Sequence, residues 1–146
     1  MKNVLLVDDH SIVRQGLKNL IELEADLNVT GEAASGLEAL NLVRANSYDV
    51  MVLDISMPDK NGVDTLHDLK HIAPKLPVLI LSGYAEAHYA LNLIRSGCRG
   101  YLSKGADSTE IIKAIRTIAN GKRYISAELA ELMTEHFVQL LFRRMT

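Results

Sequence analysis

Three short runs, Val4–Val7, Val50–Leu53 and Val78–Leu81, consist only of Val, Leu, Ile and Met, and each is closed by polar or turn-forming residues. A strand with one face in water alternates apolar and polar side chains. An uninterrupted run has no face to give to water, so these strands must be covered on both sides. Between them lie segments at helical spacing, such as Val13, Leu17, Leu20 and Ile21, and later Ile111, Ala114, Ile115 and Ile118. Weaker strands are predicted around Asn28–Ala34 and Arg99–Leu102. The rhythm is five strands and five helices in roughly the first 120 residues. Right-handed crossovers then favour a doubly wound α/β fold, a five-stranded parallel sheet between two helical layers.

After Asn120-Gly121 comes a basic, polar joint, Lys122-Arg123-Tyr124. From Ser126 a stripe of Leu129, Leu132, Met133, His136, Phe137, Leu140 and Leu141 predicts a C-terminal amphipathic helix. The expected division is therefore residues 1–121 as one domain and 122–146 as linker and helix. The 16 basic and 18 acidic side chains leave a formal charge of −2, too little positive field to hold nucleic acid or an anionic membrane nonspecifically. A lone Cys98, an N-terminus without a signal-peptide core and apolar runs too short to span a bilayer point to the cytoplasm and away from membranes. The glycines form neither G-x-G-x-x-G nor a Walker loop, so nothing supports nucleotide binding.

In an open parallel sheet, functional groups gather at the carboxyl ends of the strands. The first strand ends in Asp8-Asp9 and the third in Asp54. Three carboxylates on one rim repel each other unless a cation sits among them, and hard oxygen ligands suit Mg²⁺ or Mn²⁺. A metal held there can neutralise a phosphoryl group as it moves onto a nucleophilic aspartate. Asp54, alone at the end of its strand, is the expected nucleophile, and the paired Asp8 and Asp9 are the expected metal ligands. Ser82 ends the fourth strand and Lys104 follows the fifth, bringing a hydroxyl and an ammonium to the same rim for contact with phosphoryl oxygens. Read singly, each of these residues has an ordinary alternative as a helix cap, turn former or solvated charge; the combination carries the information.

The segments VLLVDDH, VMVLDISMP, VLILSGY and GYLSKGA, in this order and at these separations, resemble the receiver domain of two-component response regulators over about residues 2–121, and are especially similar to the NarL/FixJ type. The resemblance implies a flavodoxin-like sheet of order 2-1-3-4-5 and phosphorylation of Asp54 by a sensor histidine kinase or phosphotransfer protein. It implies that Asp9, Asp54 and the backbone carbonyl of Ser56 bind Mg²⁺ directly, and that Asp8 acts through a metal-bound water. Lys104 would pair with the phosphoryl group, Ser82 and Tyr101 would form the switch pair, and Ser56 and Tyr84 would tune hydrolysis. Many receivers carry Pro after this Lys; here Gly105 follows, which leaves the role of Lys104 intact.

His10 is expected to start the first helix with its ring at the rim rather than to ligate a metal, and Cys98 to be a packed side chain. The expected function is a signalling switch acting on itself, not an enzyme for external substrates, with transcription as the output of a full-length regulator. Two rival readings fit the sequence less well. An aspartyl-phosphate phosphatase of the haloacid-dehalogenase type needs Asp-x-Asp, absent from Asp54-Ile55-Ser56, and an unphosphorylated receiver-like scaffold would show erosion of the acidic set or of Lys104, all of which are present. The family usually continues into a helix-turn-helix domain. The chain is therefore expected to act as an isolated receiver without promoter binding of its own, its last helix docking either on its own domain or on a second copy.

Overall fold

The computed structural model describes residues 1–55, 62–83 and 87–145, those of 87–89 and 128 by backbone alone. In chain order the elements are β1 (Lys2–Val7), α1 (Ser11–Glu22), β2 (Leu27–Ala33), α2 (Gly36–Ala45), β3 (Val50–Asp54), α3 (Gly62–Ile72), β4 (Val78–Ser82), α4 (Ala87–Arg95), β5 (Gly100–Ser103), α5 (Ser108–Ala119), β6 (Tyr124–Ile125) and α6 (Ala127–Met145). All strand pairs are parallel, in the order β2-β1-β3-β4-β5-β6.

The period of two along each strand sorts the core into two layers. Leu5, Val7, Met51, Leu53, Val78 and Ile80 face one way, packed with Ala39 and Leu40 of α2, Leu66 and Leu69 of α3, and Ala90 and Leu93 of α4. Their neighbours Val4, Leu6, Val50, Val52, Leu79 and Leu81 face the other way, against Ile21 of α1 and Ile111, Ile112, Ile115 and Ile118 of α5. The apolar runs are thus covered on both sides, as their composition demands. Polar caps set the helix starts: Ser35 accepts from the Glu38 N–H at α2, and Asp107 from the Glu110 N–H at α5.

One departure from the expected five strands lies in the basic joint. Tyr124 donates its N–H to the Arg99 carbonyl at 3.0 Å, and Tyr124–Ile125 extends the sheet as a sixth strand beside β5. Two residues are too few to show a strand period, which is why the joint reads as linker in sequence. Helix α6 divides along its length. Leu129 is buried and Met133 packs against the core layer that holds α4, whereas Phe137, Val138, Leu140, Leu141 and Phe142 are exposed. No described helix is long and apolar enough to cross a membrane.

Candidate functional site

The site follows from strand register. Val7 of β1 stands opposite Leu53 of β3, Asp54 opposite Leu81 of β4, and Ser82 opposite Ser103 of β5. The residues at and just beyond these positions, Asp8, Asp9, Asp54, Ser82 and Lys104, therefore emerge on one rim. Parity adds direction. Asp8, Asp54 and Lys104 continue the positions of Leu6, Val52 and Leu102, all of which pack on the α1/α5 side. The Lys104 N–H donates to the Ser82 carbonyl at 2.8 Å, which fixes the start of the Lys loop against the end of β4.

Asp8 and Asp54 are 3% and 2% exposed, so both carboxyl groups sit in the protein rather than in water. Burying charge costs several kcal/mol unless it is paired. Lys104 Nζ lies 3.1 Å from Asp54 Oδ2 and 3.8 Å from Asp8 Oδ2. His10 Nδ1 lies 3.1 Å from Asp9 Oδ1 and 3.3 Å from Asp8 Oδ1. Despite that proximity the buried Asp9 Oδ1 accepts no hydrogen bond among the described residues. Among the described residues, one ammonium and one imidazole face three carboxylates. Asp8, Asp9, His10 and Asp54 each offer a ligand atom, and these four atoms lie within 4.8 Å of one another. An underbalanced negative cluster with an acceptor in want of a partner fits a hard divalent cation.

The structure thus brings together Asp8, Asp9, Asp54 and Lys104, with Ser82 buried on the same rim. Tyr101, 1% exposed, stands opposite Ile80 and packs in the layer that contains Leu93 of α4 and Leu129 of α6. Ser82 continues the parity of Ile80, so hydroxyl and phenol ring share one side of the sheet. Ser56 and Tyr84 lie outside the described residues. His10 is the N-cap of α1 and its ring reaches the rim, as its position after the acidic pair suggests.

Two supporting residues are invisible to motif reading. Arg14 donates from Nη1 to the backbone carbonyl of Asp8 and from Nε to Glu32 of β2 at 3.2 Å, which ties the acidic loop to the neighbouring strand. Gly62, the first residue of α3, donates its N–H to the Ile55 carbonyl at 2.8 Å. A Cβ there would lie 2.6 Å from Ile55 Cα and 3.1 Å from the Asp54 carbonyl oxygen. The only sequence signal for either was a glycine near the end of the β3–α3 connection and an arginine one turn into α1.

Residues 4–116 match the family model described as response regulator receiver domain. The response regulator UvrY of Escherichia coli strain K12 is 36% identical over 133 residues, which cover 91% of this chain and 61% of that protein. The DNA-binding transcriptional activator DevR/DosR of Mycobacterium tuberculosis is 38% identical over 130 residues, 89% of this chain and 60% of that protein. The chain therefore spans about three-fifths of the length of these relatives. Among solved structures, a LuxR-family two-component response regulator from Aurantimonas sp. SI85-9A1 superposes with a TM-score of 0.90 at 32% identity, covering 94% of this chain and 99% of that one. The isolated REC domain of RcsB from Salmonella enterica serovar Typhimurium, in the presence of phosphomimetic BeF3⁻, gives a TM-score of 0.83 at 25% identity, covering 90% and 98%.

Proposed function

The chain belongs to the response regulator receiver domain family, and from that premise we propose that Asp54 is its phosphoacceptor, charged by a sensor histidine kinase or phosphotransfer protein. The observation that carries this reading is the buried Asp54 carboxylate with the Lys104 ammonium 3.1 Å away, on a rim shared with Asp8 and Asp9. An Asp54 carboxylate oxygen attacks phosphorus, the P–N bond to the donor histidine breaks, and its electron pair leaves with the imidazole nitrogen. Asp9 and Asp54, with the Ser56 carbonyl, would hold Mg²⁺ and Asp8 would act on it through water; when bound, the ion would neutralise charge on the phosphoryl oxygens. Lys104 exchanges its pairing with the Asp54 carboxylate for one with a phosphoryl oxygen.

The same geometry supports a conformational readout. Ser82 is buried at the rim, which supports a role for its hydroxyl as donor to a new phosphoryl oxygen. Tyr101 sits in one packed layer with α4 and the near half of α6, so a shift at Ser82 repacks the face those helices build. We take residues 1–121 as the switch and 122–146 as the segment that transmits its state. Ser56 and Tyr84 tune the lifetime of the acyl phosphate, whose hydrolysis is the chain's own. In a full regulator the output is control of transcription. Intact-mass measurement with acetyl phosphate tests the reading: one phosphoryl group per chain is expected with Mg²⁺ and none in excess chelator. Equal labelling in chelator contradicts the metal's role.

A further inference from the structure

We propose that Lys70, Arg99 and Arg123 form an anion site for a diphosphate group, at the edge of the sheet opposite the acidic rim. Arg99 and Arg123 immediately precede β5 and β6, and the register Gly100 to Tyr124 sets the two arginines side by side at the amino ends of those strands. A cavity of about 230 Å³ opens there, lined by the three basic residues and walled by Leu69, Pro74 and Val78. Among the described residues no carboxylate lines it. The guanidinium groups of Arg99 and Arg123 make no hydrogen bond or ion pair among the described residues. Like charges around one small cavity repel each other unless an opposite charge sits among them.

Two features aim the charges inward. Gly97 has φ +105, and a Cβ there would overlap Lys70 Cε, so the lysine stem runs through the notch that glycine leaves and carries its ammonium to the cavity wall. Lys70 Nζ donates to the Arg95 carbonyl at 3.4 Å, which leaves two of its three protons for a ligand. Cys98 lines the same cavity, and Arg123 and Lys70 both pull its thiol down against the effect of burial, so the two charges converge from the joint and from α3. The chemistry of the three groups selects the guest. Guanidinium pairs its N–H donors with phosphate oxygens and ammonium adds a point charge, while a cavity below the roughly 300 Å³ of an ordinary ligand pocket suits a small group. A diphosphate held there would clip the basic joint, and with it the root of α6, to the sheet.

Calorimetry with inorganic pyrophosphate tests this, in metal-free buffer at physiological ionic strength so that the acidic rim repels the probe. The expected result is one pyrophosphate per wild-type chain. Binding should weaken about tenfold or more in Arg99→Gln and in Arg123→Gln, the loss of one charge-assisted hydrogen bond. Lys122→Gln, which removes the same charge next door, should bind like the wild type. Inorganic phosphate and ADP form the other arms. ADP binding as tightly as pyrophosphate supports a nucleoside diphosphate as the source of the group, and pyrophosphate binding alone supports the inorganic form. Phosphate binding as tightly as pyrophosphate overturns the diphosphate assignment. No pyrophosphate binding to the wild type, or equal weakening by Lys122→Gln, overturns the site and leaves the three residues as solvated surface charges.

Discussion

Asp54 and Lys104 show how little a single residue reveals and how much a pair does. A carboxylate that is 2% exposed needs compensation, and the ammonium at 3.1 Å supplies it while keeping 30% of its own side chain in water. A cation held this way can change partners when a phosphoryl group arrives. Lys104→Ala is expected to leave cation binding and labelling of Asp54 in place and to remove most of the beryllofluoride-induced amide shifts at Ser82 and Tyr101. A variant with the full wild-type shifts contradicts the role. Cys98 is the opposite case, a reactive residue type made inert. Burial pushes its thiol up from 9.0 to about 12, against the smaller opposing pull of Arg123 and other groups. Well below pH 9.0 the thiol is protonated in both folded and unfolded chains and stability is unaffected. As pH climbs from 9.0 toward about 12, the unfolded chain loses its proton first and stability falls. The slope is up to about 1.4 kcal/mol per pH unit. Urea unfolding across this range should show Cys98→Ala with the shallower decline; parallel curves would contradict the shift.

At the scale of elements, the strands were legible where their composition left no choice. Val4–Val7, Val50–Leu53 and Val78–Leu81 fall inside β1, β3 and β4, and the carboxylates and hydroxyl expected at their ends are there. β6 was not legible, because two residues carry no period and their pairing with β5 depends on how α5 returns the chain. Nor was the support around the rim. The bond from Arg14 to the Asp8 carbonyl and the fit of Gly62 against Ile55 arise only when segments distant in sequence or separated by a turn are packed. The stripe on α6 was legible as a stripe, but which part finds cover was not: Leu129 and Met133 reach the core and the residues beyond His136 do not. The start of α3 offers a test at this scale. Since a Cβ on Gly62 would lie 2.6 Å from Ile55 Cα, which is backbone and cannot rotate away, Gly62→Ala must displace α3 or the end of β3. Overpacking of this kind costs about 2 kcal/mol, read as a lowered urea midpoint, and should slow labelling of Asp54. An unchanged midpoint and rate would show that α3 moves freely there.

Across the whole molecule, the two core layers have different tasks. The α1/α5 layer carries the parity that aims Asp8, Asp54 and Lys104 at one another, and the opposite layer holds Tyr101 together with α4 and the near half of α6. A phosphoryl group on Asp54 would sit where these layers meet the open rim, so a local change of charge there would bias the packing of helices that face outward. The roles of Lys104, Ser82 and Tyr101 all depend on Asp54 being the carboxylate that takes the phosphoryl group. Asp8 and Asp9 are close enough to compete, and Lys104 Nζ is within 3.8 Å of Asp8 as well. The direct measurement is intact mass after incubation with acetyl phosphate and Mg²⁺, wild type beside Asp54→Ala. The wild type should gain a single phosphoryl group and Asp54→Ala none, with Asp8 and Asp9 both still present. A phosphoryl group on Asp54→Ala under conditions that label the wild type would contradict the assignment.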